Sequence, residues 1–491
     1  MDINELKADA AAGKLSIERL LEVIVALQQR IAELEAQLKS KNPTERLDES
    51  YSEKAENKRK KRKSPKKPPL RRGRGTTADK IKLAQRTESV YPDDKQPGEC
   101  QFSHTRVAWR LESGKAILVA YEIYRSGKLY GKPLGLLGRS EFGIEITVAI
   151  AYQVYCLGLS LDKACAVLSF FQQLQLRKSQ ADALLNQLAR NWESEFDNLC
   201  ILLANSAVVY CDETSWSINS VWAFVTEHLS VLFYGVHKDG ATLAQIIDKS
   251  KFAGVLVSDN AAVYQGFSQA QKCWAHLIRK AIKLTLQSPE NATYREFADR
   301  LLGLYRRAKR VASDGRLSDA GRQERVGRLD DELLALCSTR WLDDSTDGDE
   351  IENDYRRLCN EIMRLMLARE LFTFVTTSGV DGNNNVSERQ LRDDAMARKT
   401  GRTSKTTSGA KRQSIISSVL QSIGKQLEAF TLAGVIAETM RWLQLGRSCF
   451  QEMVDQREIE PRPPSTAENA KRSLLDRLII DVDKPKPSTA M

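Results

Sequence analysis

Two aspartates close apolar runs of the kind that form buried strands: AVVYC leads into Asp212 and VLVS into Asp259. Strand ends are rigid, so two carboxylates delivered by neighbouring strands can share cations, as in the catalytic core of an α/β protein. In-line attack on a phosphodiester needs both the entering and the leaving oxygen stabilised. Two Mg²⁺ ions roughly 3.5–4 Å apart do this, and such hard ions take carboxylate oxygens. Asp212 and Asp259 supply two of the acidic groups such a site requires. Blander readings stay open at both. Asp212 also fits a cap on the turn after its strand, with Glu213 as the alternative ligand, and Asp259 before Asn260 fits a helix N-cap. Around them VWAFV and VLFYGV are expected as strands and TLAQIID as a helix.

A third acidic group, Glu388, is ambiguous on spacing alone. Asn385-Val386-Ser387-Glu388 spells a helix start with Glu at N3, a capping box. His276, Arg279 and Lys280 follow the strand-like KCWA; the histidine reads equally as a structural residue or as a contact to phosphate. Arg389, Arg392, Arg398, Lys399 and Arg402 form a basic cluster after Glu388, either a solvated helix face or a grip on a polyanion. Cys100 and His104 are two ligands only and do not close a tetrahedral zinc site. The nine cysteines show irregular spacing and no C-x-x-C, which fits a reducing cytoplasm.

The elements that must position these groups fill a chain of 491 residues, 42% hydrophobic and 28% charged, expected to fold as two to four units. Residues 1–45 carry Ile17, Leu20, Ile24, Leu27, Ile31, Leu34 and Leu38 at alternating steps of three and four. This predicts a coiled-coil helix and a homo-oligomer formed through residues 16–39, the alternative being one amphipathic helix packed on its own protein. Residues 46–86 read as a flexible linker. The formal charge of +10 sits here: residues 58–74 hold eleven basic residues and no acidic one, leaving the rest nearly neutral. Lys58, Arg59, Lys60, Lys61, Arg62 and Lys63 begin this arm, which suits phosphate tracking, although a solvated run or an import signal has the same composition.

Residues 87–130 alternate as a small β-rich unit. Residues 131–200 are helical, with a face of Leu161, Ala164, Cys165, Leu168 and Phe171 and a second helix capped by Ser179, a pattern shared by helix-turn-helix readers of DNA and by any helical hairpin. The apolar stretch at 143–161 is broken by Glu145, Thr147 and Gln153 and reads as a buried helix, and the N-terminus lacks signal-peptide regions, so neither membrane nor export is expected. A catalytic core is expected at 201–280 and 376–440, split by a charged helical insertion at 281–375, with a helical segment and tail at 441–491.

Four ordered blocks then become specific together: CDETSW at 211–216, VSDNAAVY at 257–264, KCWAHLIRK at 272–280 and NNNVSERQLR at 383–392. They resemble the core of the transposases of the insertion sequence 66 family, over roughly residues 130–435. The resemblance implies Asp212, with Glu213 and Thr214 in its block, Asp259 with Tyr264, and Glu388 with Arg389 as the catalytic, metal-holding set, and Trp274 and His276 as supporting residues. It implies an α/β fold: an RNase H-like mixed-sheet core with a helical insertion, behind the coiled coil and a helical DNA-binding region. The implied activity is cleavage at element ends and transfer of the 3′-hydroxyl into target DNA, with two Mg²⁺ ions or Mn²⁺ in their place. Implied partners are double-stranded DNA, at element ends and target, further copies of the chain and accessory transposition proteins, in a cytoplasmic, nucleoid-associated setting. A rival class is a catalytically inactive relative that only binds DNA. The chain departs from the family pattern in lacking cysteine pairs before the core, in Asn260 where glycine is usual, and in an extra Asn before Glu388.

Overall fold

The computed structural model describes residues 77–342, 350–459 and 473–479, with positions 25, 28 and 29. The helix expected at 16–39, those three positions apart, and the basic residues Lys58 to Lys63 lie outside the described residues. Within the stretch expected as linker, α1 (Thr77–Lys82) is a helical turn. Lys80 anchors it to Glu141 at 2.7 Å.

A first, four-stranded sheet follows, from β1 (Arg86–Val90), β2 (Gln101–Glu112), β3 (Lys115–Ser126) and β4 (Leu129–Tyr130). β3 is central: β1 runs parallel to it, while β2 and β4 are antiparallel. The β2–β3 turn places Ser113 and Gly114 at φ 47° and 78°, the doubly left-handed turn that matches strand twist. Cys100 lies just before β2, and His104 sits beyond a register shift after Phe102, bonded to Ser103 at 3.1 Å. A part-buried ion pair, Arg110 to Glu145 at 2.6 Å, clips this sheet to α2 (Ile144–Tyr155).

α2 buries its first eight residues, in keeping with an apolar stretch that is core. Among the described residues no helix is long and apolar enough to cross a membrane. α3 (Leu161–Gln172), α4 (Lys178–Asn191) and α5 (Glu193–Ala204) complete this layer. The expected cap at Ser179 is displaced: α4 begins after Arg177, whose N–H is taken by Gln180 Oε1 at 3.0 Å, so the reciprocal bond starts the helix earlier. Ala181, Leu184, Leu185 and Leu188 turn into the core.

The second sheet contains β5 (Val208–Ser215), β6 (Ser220–Val225) and β7 (Ser230–Val236), then, after α6 (Gly240–Ile246), β8 (Val255–Ser258) and β9 (Ala270–Lys272). Its order is β7-β6-β5-β8-β9. β5, β8 and β9 are parallel and β6 opposes both neighbours. Every residue of β6 and β7 is buried, which is why their sequences run as continuous apolar stretches.

Helices cover both faces. Val209, Cys211, Trp222, Phe224 and Leu256 join a core with the α2–α5 layer. Tyr210, Val225, Val255 and Val257 face a second core built with α7 (Trp274–Gln287), α8 (Ala292–Ser313), α9 (Asp319–Cys337), α10 (Glu350–Leu367) and α11 (Thr373–Thr376). The chain returns through α12 (Asn385–Gln390), α13 (Arg392–Lys399) and α14 (Thr407–Gln426), and ends in α15 (Leu432–Leu445), α16 (Cys449–Gln456) and α17 (Leu474–Leu478). The fold is mixed α/β.

β7 is an edge strand, yet its backbone is not left open. Ser414, Ser418 and Ser422 of α14 accept the N–H groups of Tyr234, Leu232 and Ser230 at 2.9, 2.8 and 3.0 Å. Four helical residues advance about 6.0 Å and two strand residues about 6.6 Å, so a serine every fourth position tracks the strand.

Candidate active site

Asp212 lies within β5 rather than at its end, which corrects the expectation from sequence. Its row still pairs with Ala223 of β6, and that ladder continues to Ser215. On the other side the β8 ladder stops at Tyr210 opposite Val257. Extending this parallel register sets Asp212 level with Asp259 on the next strand, and alternation puts both on the face of Tyr210 and Val257. Glu213 belongs to the opposite face. There its buried carboxylate pairs with Lys238 at 2.6 Å and accepts the hydroxyl of the fully buried Tyr264. The two neighbouring acids thus have different surroundings, and Glu213 already has its cation.

Burial pushes the Asp212 carboxyl up to about 7, with the charges of Glu213, Asp259 and Glu388 adding to the effect against the bond from the Glu213 N–H. Asp259 accepts the Ala261 N–H at 2.9 Å, which braces the turn after β8. It is not a helix cap, because the short 3-10 turn beyond it starts from Ala261. Asn260 is held on both sides by α10: it donates to Glu361 at 2.7 Å and accepts from Arg364 at 2.6 Å.

Glu388 departs from the capping-box expectation. The N-cap of α12 is Asn384, so Glu388 is the fourth helical residue, and its carboxylate turns to α7. Arg279 donates to both its oxygens at 3.3 Å, and His276 Nδ1 is 3.7 Å away. KCWA is likewise not a strand: β9 ends at Lys272 and Cys273 caps α7, which places His276 in its first turn. Trp274 is structural here, fully buried, stacked on Tyr305 at 5.4 Å and bonded to the Leu371 carbonyl at 2.6 Å.

A family model described as "Transposase IS66 family" matches residues 139–412, more than half of the chain and every segment of this site. The chain belongs to the IS66 family of transposases. No curated protein matches it. The sheet at 86–130 and helices α15–α17 lie outside the matched stretch.

Within this IS66 family member the expected basic residues are distributed unevenly. Arg279 is on Glu388, and Lys280 pairs with Glu361 at 2.6 Å. Arg398 reaches the end of β5, touching Thr214 Oγ1 and the Ser215 carbonyl at 3.2 Å. Arg389, Arg392 and Lys399 are exposed on α12 and α13.

Sequence reading missed the residue that joins the three segments, Asn384, which is fully buried. Its side chain donates to the Cys211 carbonyl at 2.8 Å, beside Asp212, and accepts the Ser387 hydroxyl at 2.6 Å, beside Glu388. Its own N–H reaches Cys273 Sγ at 3.2 Å, and the Cys273 N–H in turn bonds the Ser258 carbonyl, beside Asp259, at 2.9 Å. Tyr210 adds a second clip by accepting the Asp381 N–H at 2.9 Å. Lys238 was missed too. An asparagine in a run of three and a lysine after a strand carry no periodic signal.

Proposed function

We propose that this family member is a three-carboxylate DNA transposase that cleaves at element ends and transfers the 3′-hydroxyl into target DNA, with Asp212, Asp259 and Glu388 as catalytic metal ligands. The observation that carries this reading is the crowding of carboxylates beyond the end of the β5–β8 ladder, where the half-buried Asp212 is pushed up to about 7 by desolvation, with Glu213, Asp259 and Glu388 adding to its load. A divalent cation relieves such crowding, and three carboxylates are the donor set of a hard ion such as Mg²⁺, with Mn²⁺ as substitute. When bound, two such ions activate the attacking oxygen and stabilise the leaving one.

The chain's own residues do the positioning. β5 holds Asp212 in its ladder with β6, the Ala261 N–H orients Asp259, and Asn384 sets the height of α12 and hence of Glu388. Arg279 pairs with Glu388 and is placed to meet a phosphate brought to that carboxylate. Arg389, Arg392, Arg398 and Lys399 extend the basic surface, and the arm beginning with Lys58 to Lys63 tracks phosphates. A sheet in which only the second strand opposes the others, with the first strand central, supports the RNase H-like reading of the core. Self-association through residues 16–39, accessory transposition proteins and nucleoid association belong to the same proposal.

The test is labelled element-end DNA with Mg²⁺ or Mn²⁺, scored for cleavage and strand joining. Asp212→Asn, Asp259→Asn and Glu388→Gln are each expected to lower both by roughly 10³-fold, a loss of several kcal/mol, while DNA binding persists. Unchanged cleavage in any of the three removes that residue from the site.

A further inference from the structure

One group of side chains that shares Glu388 with the carboxylates has a different chemistry. Ligand atoms of Cys273, His276 and Glu388 all lie within 4.8 Å of one another. The first two come from the start of α7, one turn apart, and the third from α12 across the gap. His276 Nδ1 is shielded from solvent and has no hydrogen-bond partner, so a nitrogen lone pair or N–H is left unused beside Glu388. A cavity of about 280 Å³, lined in part by Asp259, Cys273, His276 and Lys280, gives access to the group.

The sulfur is placed as a thiolate ligand is placed. It accepts the Asn384 N–H at 3.2 Å and sits at the N-cap position of α7. N–H donors and a helix N-terminus stabilise a thiolate.

We propose that Cys273, His276 and Glu388 form a site for a borderline transition-metal cation of the Zn²⁺ class, distinct in ligand type from the all-oxygen set. Sulfur, nitrogen and one carboxylate with a fourth position open suit Zn²⁺ or Co²⁺, and Mg²⁺ does not take sulfur. Occupation requires Arg279 to leave Glu388. A regulatory consequence rests on the reading of Glu388 as a catalytic ligand: Zn²⁺ at this site withdraws that carboxylate and inhibits cleavage.

The experiment uses full-length, metal-free protein titrated with Co²⁺ as a spectroscopic stand-in. Expected are a thiolate-to-cobalt charge-transfer band in the near ultraviolet and the visible bands of four-coordinate cobalt, saturating at one ion per chain. Zn²⁺ bleaches both; Mg²⁺ in large excess does not. Cys273→Ser removes the charge-transfer band, and His276→Ala weakens Co²⁺ binding by at least about tenfold. Thermal melts verify that each variant folds, and where Cys273→Ser does not, His276→Ala carries the test. Absence of the band, its persistence in Cys273→Ser, or unchanged affinity in His276→Ala overturns the site. Asp212→Asn separates the two proposals, since it is expected to abolish cleavage and keep the cobalt band. Cleavage absent from every protein with the band intact removes the transposase reading and leaves the metal site standing; Zn²⁺ that binds without slowing cleavage overturns the sharing of Glu388.

Discussion

At the scale of the residue, the chemistry proposed for Asp212 conflicts with the environment that holds it. Burial and three neighbouring acids raise its carboxyl to about 7, above the ordinary value near 4. The folded chain therefore retains a proton that the unfolded chain releases. This contribution to stability is full below about pH 4 and is lost as pH rises through about 7. In chelator, Asp212→Asn, which stays neutral, is expected to stabilise the protein by on the order of 2 kcal/mol at about pH 8 and to have little effect at about pH 4. Urea melts at the two pH values check this, and equal effects at both remove burial of charge as the cause. Asp212 and Asp259 were legible because an apolar run followed by an acid is a local pattern. Glu388 was not, because its surroundings are Arg279 and His276 from a helix more than a hundred positions earlier. On local spacing it passed for a cap, and the structure moves the cap to Asn384.

At the scale of the element, apolar runs and helical periodicity located most strands and helices, but the way an edge strand is finished was not visible. In SIISSVLQS the serines at 414, 418 and 422 recur at every fourth position along one helix face. All three are fully buried and occupy the open side of β7. Ser418 serves Leu232 twice, accepting its N–H at 2.8 Å and donating to its carbonyl at 3.3 Å. Ser418→Ala removes both bonds with the smallest change of shape, leaving two buried backbone groups without partners. The expected cost is about 2–3 kcal/mol, against at most about 0.5 kcal/mol for Ser408→Ala on the exposed face of the same helix. Denaturant midpoints of the two variants decide it, and equal midpoints leave the serine ladder without energetic weight. Pairing across elements distant in sequence is what single-chain periodicity does not encode, and the same holds for the Arg110–Glu145 clip between the first sheet and α2.

At the scale of the whole molecule, the helical insertion is part of the core. Helices α8–α10 share one apolar cluster with the sheet face that carries Tyr210 and Val257. The sequence announced the insertion by its length and charge. Its contact with the site is direct: Glu361 and Arg364 of α10 grip Asn260, the residue after Asp259, and Glu361 also takes Lys280 at 2.6 Å. A change in α10 is therefore transmitted to the turn that aims Asp259, through two hydrogen bonds and without a change in any proposed ligand. Asn260→Ala and Glu361→Ala are each expected to raise the Mg²⁺ concentration needed for half-maximal cleavage several-fold. The double variant should fall short of the product of the single effects, with a coupling of about 0.5–3 kcal/mol, because both remove one interaction. Multiplicative effects in that cycle assign the two residues independent roles. A shortfall makes α10 a support for the Asp259 turn, so that the insertion and the proposed metal ligands fold and function as one unit.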